Sequence, residues 1–141
     1  AVMEGRRFIH LKTVNQIKPG DSLICGRLNG NMGTGVIDAV SETECRISVT
    51  LDQGPPEPLP LKLVLALPRP KFLRRIIQAV TTLGVKDIFL TNSWRVERSF
   101  WNSPHVSDAA LEKQMILGLE QSRDTIMPRI YFKRYFKDFV E

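Results

Sequence analysis

The stretch from Leu61 to Thr91 restricts the fold more than any other part of the chain. Leu61 to Leu67 (LKLVLAL) is a nearly continuous apolar run, the pattern of a strand in a sheet covered on both faces. Pro68-Arg69-Pro70 breaks it. From Lys71 to Leu83 the apolar residues Phe72, Leu73, Ile76, Ile77, Val80 and Leu83 recur at helical spacing, and Gly84 supplies the stop. Asp87 to Thr91 (DIFLT) then reads as a second strand. Strand, helix and strand joined by links this short make a right-handed crossover, which predicts a parallel sheet.

Beyond it, Asn92 to Val106 reads as a loop rich in Arg and Trp. Ser107 is placed to cap a helix with Asp108 in its first turn and Leu111, Met115 and Leu119 on its apolar face. Pro128 is expected to end that helix, and Arg129 to Phe132 to form a third strand. Three strands and two helices are half of a doubly wound sheet. The chain is therefore expected to be the front part of a longer protein.

The first third has different grammar. RRFIHLKTV from Arg6, SLICGRL, TGVIDAVS and CRISVTL read as short strands separated by turn residues, the pattern of an antiparallel meander closing into a small barrel over residues 6–51. Pro19-Gly20 and Asn29-Gly30 supply the turns. Residues 52–60 (DQGPPEPLP) hold four prolines and read as an extended connector. The expected organisation is α+β in two domains: a barrel at 1–51, a connector at 52–60, and the first half of an α/β parallel-sheet domain at 61–141.

The formal net charge of +5 is unevenly spread: residues 61–141 carry 14 basic against 8 acidic groups, residues 1–51 only 6 against 5. That distribution favours a polyanionic partner for the second domain. No apolar run approaches the roughly 20 residues needed to span a bilayer, and no signal-peptide pattern opens the chain. The expected location is cytoplasmic, without a membrane partner. Cys25 and Cys45 form no metal-binding spacing and read as buried free thiols, so no metal site is expected.

No catalytic constellation stands out. Gly30-Asn31-Met32-Gly33-Thr34-Gly35 fits neither phosphate-loop fingerprint and reads as a hairpin turn. His10, in the expected first strand, and His105, in the loop, have no nucleophile beside them in sequence. Lys71, Arg74 and Arg75 share the helix face opposite the apolar stripe, where a solvated face is the simpler reading. The loop Ser93-Trp94-Arg95-Val96-Glu97-Arg98-Ser99-Phe100-Trp101 is the strongest functional candidate. It follows a parallel strand directly, where α/β ligands collect, and its arginines and aromatics suit unstacked bases. The alternative is that Trp94 and Trp101 merely pack.

Taken in order, Arg7 and His10-Leu11, Lys18-Pro19-Gly20-Asp21, Leu65-Ala66-Leu67-Pro68, Ile76-Ile77-Gln78-Ala79, Leu83-Gly84-Val85, Ile88, Arg98-Ser99, and Glu120-Gln121-Ser122-Arg123 followed by Pro128 resemble the RsmE family. These are ribosomal RNA small-subunit methyltransferases of the SPOUT, or α/β-knot, superfamily that modify ring nitrogen 3 of a uridine. The resemblance implies a PUA-like barrel that helps hold RNA, and a knotted domain that binds S-adenosylmethionine and dimerises in the complete protein. It implies ribosomal RNA or the small ribosomal subunit as partner and carries over Arg98, Gln121 and Arg123, which with Arg7 and the loop residue Arg95 are the expected RNA-binding residues. Arg98, Gln121 and Arg123 would meet at one sheet edge, although a helix ending at Gln121 points to the opposite one. Gln16 stands where the family usually has Arg, and the family's glycine-rich cofactor loop and knotted segment have no counterpart here. Cofactor-binding residues and the catalytic base are therefore left unassigned, and the chain alone is expected to be inactive. The rival readings are a non-catalytic RNA-binding or ribosome-associated module and, more distantly, a nucleotide-dependent oxidoreductase. The latter lacks a phosphate-binding fingerprint after Leu67.

Overall fold

Two sheets of opposite character organise the computed structural model, which describes residues 1–140. The chain divides into two compact units, Ala1–Pro55 and the residues from Pro56 onward.

In the first unit, strands β1 (Val2–Glu4), β2 (Ser22–Gly26), β3 (Met32–Val40) and β4 (Glu44–Gln53) form an antiparallel sheet in the order β1-β4-β3-β2. β1 and β2 remain edges, so the sheet is open and not the expected closed barrel. The segment read as the first strand is instead helix α1 (Gly5–His10), continued by a wider π-helical turn over Leu11–Asn15. Gly5, at φ +64, turns the chain from β1 into α1, and Phe8 packs against Cys45 and Ile47 to cover one face of the sheet. Ile9 and Val14 are exposed, and His10 lies on the helix.

Glycine placement also differs from expectation. The β2–β3 turn spans Arg27–Asn31 with only Asn29 at positive φ, whereas Gly33 and Gly35 lie inside β3. A Cβ on Gly33 would come 1.8 Å from the Thr50 carbonyl oxygen, and one on Gly35 2.6 Å from the Cys25 sulfur. These glycines permit close approach within the sheet beside a register shift at Met32/Thr34. The Pro19-Gly20 turn forms as expected, with the Asp21 amide donating to the Lys18 carbonyl and Gly20 at φ +94. Cys45 is buried and Cys25 only half-buried. β4 runs two residues into the expected connector.

The second unit carries the parallel sheet. Strands β5 (Lys62–Ala66), β6 (Asp87–Thr91) and β7 (Arg129–Lys133) pair in parallel in the order β5-β6-β7. Helix α2 (Pro70–Thr82) links the first two and helix α4 (Asp108–Ser122) precedes the third. Leu73 and Ile77 of α2, Ile88 and Leu90 of β6, and Leu111 and Met115 of α4 join in one core, so both helices cover the same face of the sheet. On the other face Phe89 stacks on Tyr131 at 4.6 Å and meets Phe139 of the short helix α5 (Lys137–Val140) edge-on at 5.0 Å. Among the described residues, then, the long helices cover one face where the apolar run suggested two.

Ser107 caps α4 as expected, its hydroxyl accepting from the Ala110 amide. The helix ends at Ser122, earlier than Pro128, because Arg123 turns left-handed (φ 53, ψ 48) and the Asp124 amide bonds back to the Leu119 carbonyl. The segment read as one loop contains helix α3 (Arg98–Trp101) and a 3-10 turn at Pro104–Val106, where Val106 anchors into the core.

Candidate nucleic-acid interface

Parallel strands deliver their loops to one edge, and here that edge holds an open cleft of about 480 Å³. Leu67, Pro68 and Arg69 line it from the exit of β5, and Ser93, Arg95 and Glu97 from the exit of β6. Val96 and Phe100 contribute to the lining while packing on the core beneath, which fixes the loop that carries Arg95.

The two tryptophans of this loop have separate fates. Trp101 donates its indole N–H to the Asn92 side chain at 3.3 Å, meets Phe132 edge-on, and lies under the Arg134 guanidinium. It packs. Trp94 is 89% exposed, and its ring is contacted by the Arg95 guanidinium 5.5 Å from its centre. A bulky indole left in solvent beside the cleft residue Arg95 is a ready surface for a base to stack on.

Of the five expected RNA-binding residues, two share this edge. Arg95 lines the cleft; Arg98, the first residue of α3, is exposed close by in the chain. Gln121 and Arg123 lie at the end of α4, which runs back to the opposite edge, where β7 begins. The Lys86 ammonium, just before β6, holds that end by donating to the Asp124 carboxylate at 2.5 Å and to the Ile126 carbonyl at 2.7 Å. The expected meeting of Arg98, Gln121 and Arg123 at one edge does not occur, because a fifteen-residue helix separates them by roughly 22 Å at 1.5 Å per residue. Arg7 lies exposed on α1 in the other unit. Sequence reasoning missed Arg69, whose signal was its place directly after the β5 run.

Residues 55–141 match a family model described as the RNA methyltransferase domain. The chain belongs to this family. The resemblance to RsmE proteins is borne out within it: "Ribosomal RNA small subunit methyltransferase E" of Treponema pallidum is 31% identical over 94% of this chain. The alignment takes in 50% of that relative, and one to a Borreliella burgdorferi protein, "Ribosomal RNA small subunit methyltransferase E 1", 27% identical over 57% of this chain, takes in 34%. The chain thus spans about half the length, or less, of these curated relatives. Solved structures agree in fold. A probable rRNA-methyltransferase from Porphyromonas gingivalis superposes with a TM-score of 0.70 at 19% identity, covering 93% of this chain and 54% of that one. A Neisseria gonorrhoeae ribosomal RNA small subunit methyltransferase E bound to S-adenosyl methionine gives 0.62 at 19%, covering 94% and 56%. In this RNA methyltransferase domain no helix among the described residues is long and apolar enough to cross a membrane.

Proposed function

We propose that the chain supplies the RNA-engaging part of a ribosomal RNA methyltransferase that moves a methyl group from S-adenosylmethionine to ring nitrogen 3 of a uridine in small-subunit RNA. The observation that carries this reading is a cleft lined by Arg69 and Arg95, the latter against the exposed Trp94, at the carboxyl ends of the parallel strands of an RNA methyltransferase domain. Nitrogen 3 lies on the pairing edge of uracil, so the base must be unpaired or flipped out before reaction. Catalysis is then a matter of aligning the base and removing its proton. An exposed indole and guanidinium groups suit the first task; none of the described residues is assigned as the base. The open antiparallel unit is read as a second RNA-holding surface of PUA-like kind, presenting Arg7. The whole protein is read as cytoplasmic and homodimeric.

The cleft itself does not suit the cofactor. S-adenosylmethionine carries a sulfonium cation and needs an enclosing pocket, whereas this cleft is open and carries Arg69 and Arg95 against the single carboxylate of Glu97. Calorimetry of the 141-residue chain with S-adenosylmethionine is expected to show no saturable heat; a micromolar dissociation constant would overturn the assignment of the cleft to RNA alone. The activity is tested by incubating a protein of the relatives' full length that contains this chain with tritiated S-adenosylmethionine and small-subunit RNA. Label at uracil nitrogen 3 is expected. Label on another base overturns the target, and tight RNA binding without label favours the non-catalytic module.

A further inference from the structure

Helix α2 leaves the carboxyl edge of β5, and its N-cap residue, Arg69, already lines the cleft. Its buried face is set by Leu73, Ile77 and Thr81. Lys71, Arg74 and Arg75, at i, i+3 and i+4, are all exposed along the helix. α2 contains no acidic residue, and no ion pair to Arg69, Lys71, Arg74, Arg75 or Arg95 occurs among the described residues. A helix face built only for solubility interleaves the two signs of charge. This one does not.

These cations also work against the element that carries them. Lys71 sits in the first turn, where the partial positive charge of the helix start disfavours a cation, and like charges at i, i+3 and i+4 repel. The fold gains nothing from the arrangement, whereas a polyanion laid along the helix would be stabilised by it and would relieve the repulsion. Trp94, 89% exposed, and Phe72, 55% exposed in the same turn of α2 as Lys71, add aromatic surface of the kind that single-stranded bases use.

We propose that Lys71, Arg74 and Arg75 on the exposed face of α2 continue the Arg69–Arg95 cleft as a phosphate track for single-stranded RNA, with Trp94 as a platform on which a base stacks. The inference rests on the reading of the cleft as an RNA site and extends it to a helix face. The strand flanking the target base would run from the cleft down α2, its phosphates meeting the three cations in succession.

The test is fluorescence anisotropy with a labelled oligouridine of about twelve nucleotides, titrated from roughly 50 to 250 mM salt. Compared with the unaltered chain, the K71Q/R74Q/R75Q variant is expected to bind at least ten-fold more weakly, with the salt slope smaller by about two units, as three lost contacts to a flexible strand imply. Its thermal midpoint should be unchanged or raised, since glutamine is a good helix former and the repulsion is gone. Trp94→Ala should bind roughly five-fold more weakly with its slope unchanged. Three single Gln variants, each losing under one unit of slope, guard against misfolding of the triple one. If the unaltered chain binds and the triple variant keeps its affinity and slope, α2 is a solvated face and this inference is overturned while the cleft reading stands. No RNA binding by the unaltered chain would overturn both.

Discussion

Arg123 ends α4 in the left-handed region at φ 53, a conformation that costs a non-glycine residue about 1 kcal/mol. Replacing it with glycine should therefore raise stability by about 0.5–1 kcal/mol in chemical denaturation. If RNA reaches this edge, the same variant should also bind it more weakly, so the two readouts separate a cap from a contact. Lys86→Met goes the other way. The Asp124 side chain is 5% exposed, and losing its cation should cost about 3 kcal/mol, read as a lower denaturation midpoint. Burial, and secondarily the Glu44 carboxylate, raise the pKa of the Cys45 thiol. The unfolded chain thus loses this proton first and binds fewer protons above its ordinary value of 9.0. The contribution to stability is complete below that value and declines as the pH rises through it toward the folded value. The gap in denaturation midpoint between the unaltered chain and Cys45→Ala should narrow as the pH rises above 9.0; a constant gap would place the thiol in solvent. Of these environments only the buried Cys45 thiol was legible in the sequence, because a left-handed arginine and a long-range ion pair leave no local pattern.

At the scale of elements, Gly118 decides how closely α2 and α4 pack. Glycine inside a helix ordinarily costs about 1 kcal/mol relative to alanine, so Gly118→Ala would be stabilising on propensity alone. A Cβ there would lie 2.7 Å from both the Gln78 carbonyl oxygen and the Thr81 Cβ, which are main chain and a buried side chain. The contact should win, and the variant should lose about 1–3 kcal/mol with a lower thermal midpoint. The same contrast between local and tertiary preference explains which elements could be read in advance. β5, α2, β6 and the start of α4 were legible because their period or cap is written in adjacent residues. α1 was not: Phe8-Ile9-His10-Leu11 lacks strict alternation, and what makes it a helix is Phe8 packing on Cys45 and Ile47 far along the chain. α3 was too short to show a period, and the open edge of β2 depends on pairing that no local pattern records. In the candidate site, the Arg95 loop was legible from its place after β6, and helix direction already put Gln121 and Arg123 at the opposite edge, where α4 ends; it was the resemblance that grouped them with Arg98.

For the whole molecule, the unequal charge of the two units makes a prediction of its own. The second unit holds most of the net positive charge and the cleft, so Arg98→Ala should reduce the salt slope of RNA binding by somewhat under one unit. Anisotropy against a small-subunit RNA fragment decides it; an unchanged slope with unchanged affinity would remove Arg98 from the site. The division into units also bears on how the protein comes into being. In the parallel sheet the spatial order β5-β6-β7 is the order in which the strands leave the ribosome. Among the described strands, each new one finds its neighbour already synthesised at the growing edge. The first unit waits in the same way, since β1 pairs with β4 only after the intervening segments have emerged, and β6 to β7 (Asp87 to Arg129) spans about as much chain as β1 to β4 (Val2 to Arg46). Long-range strand pairing and parallel pairing are both slow. Assembly of the nascent protein would then be paced by two late events, the completion of the amino-terminal sheet and the docking of β7.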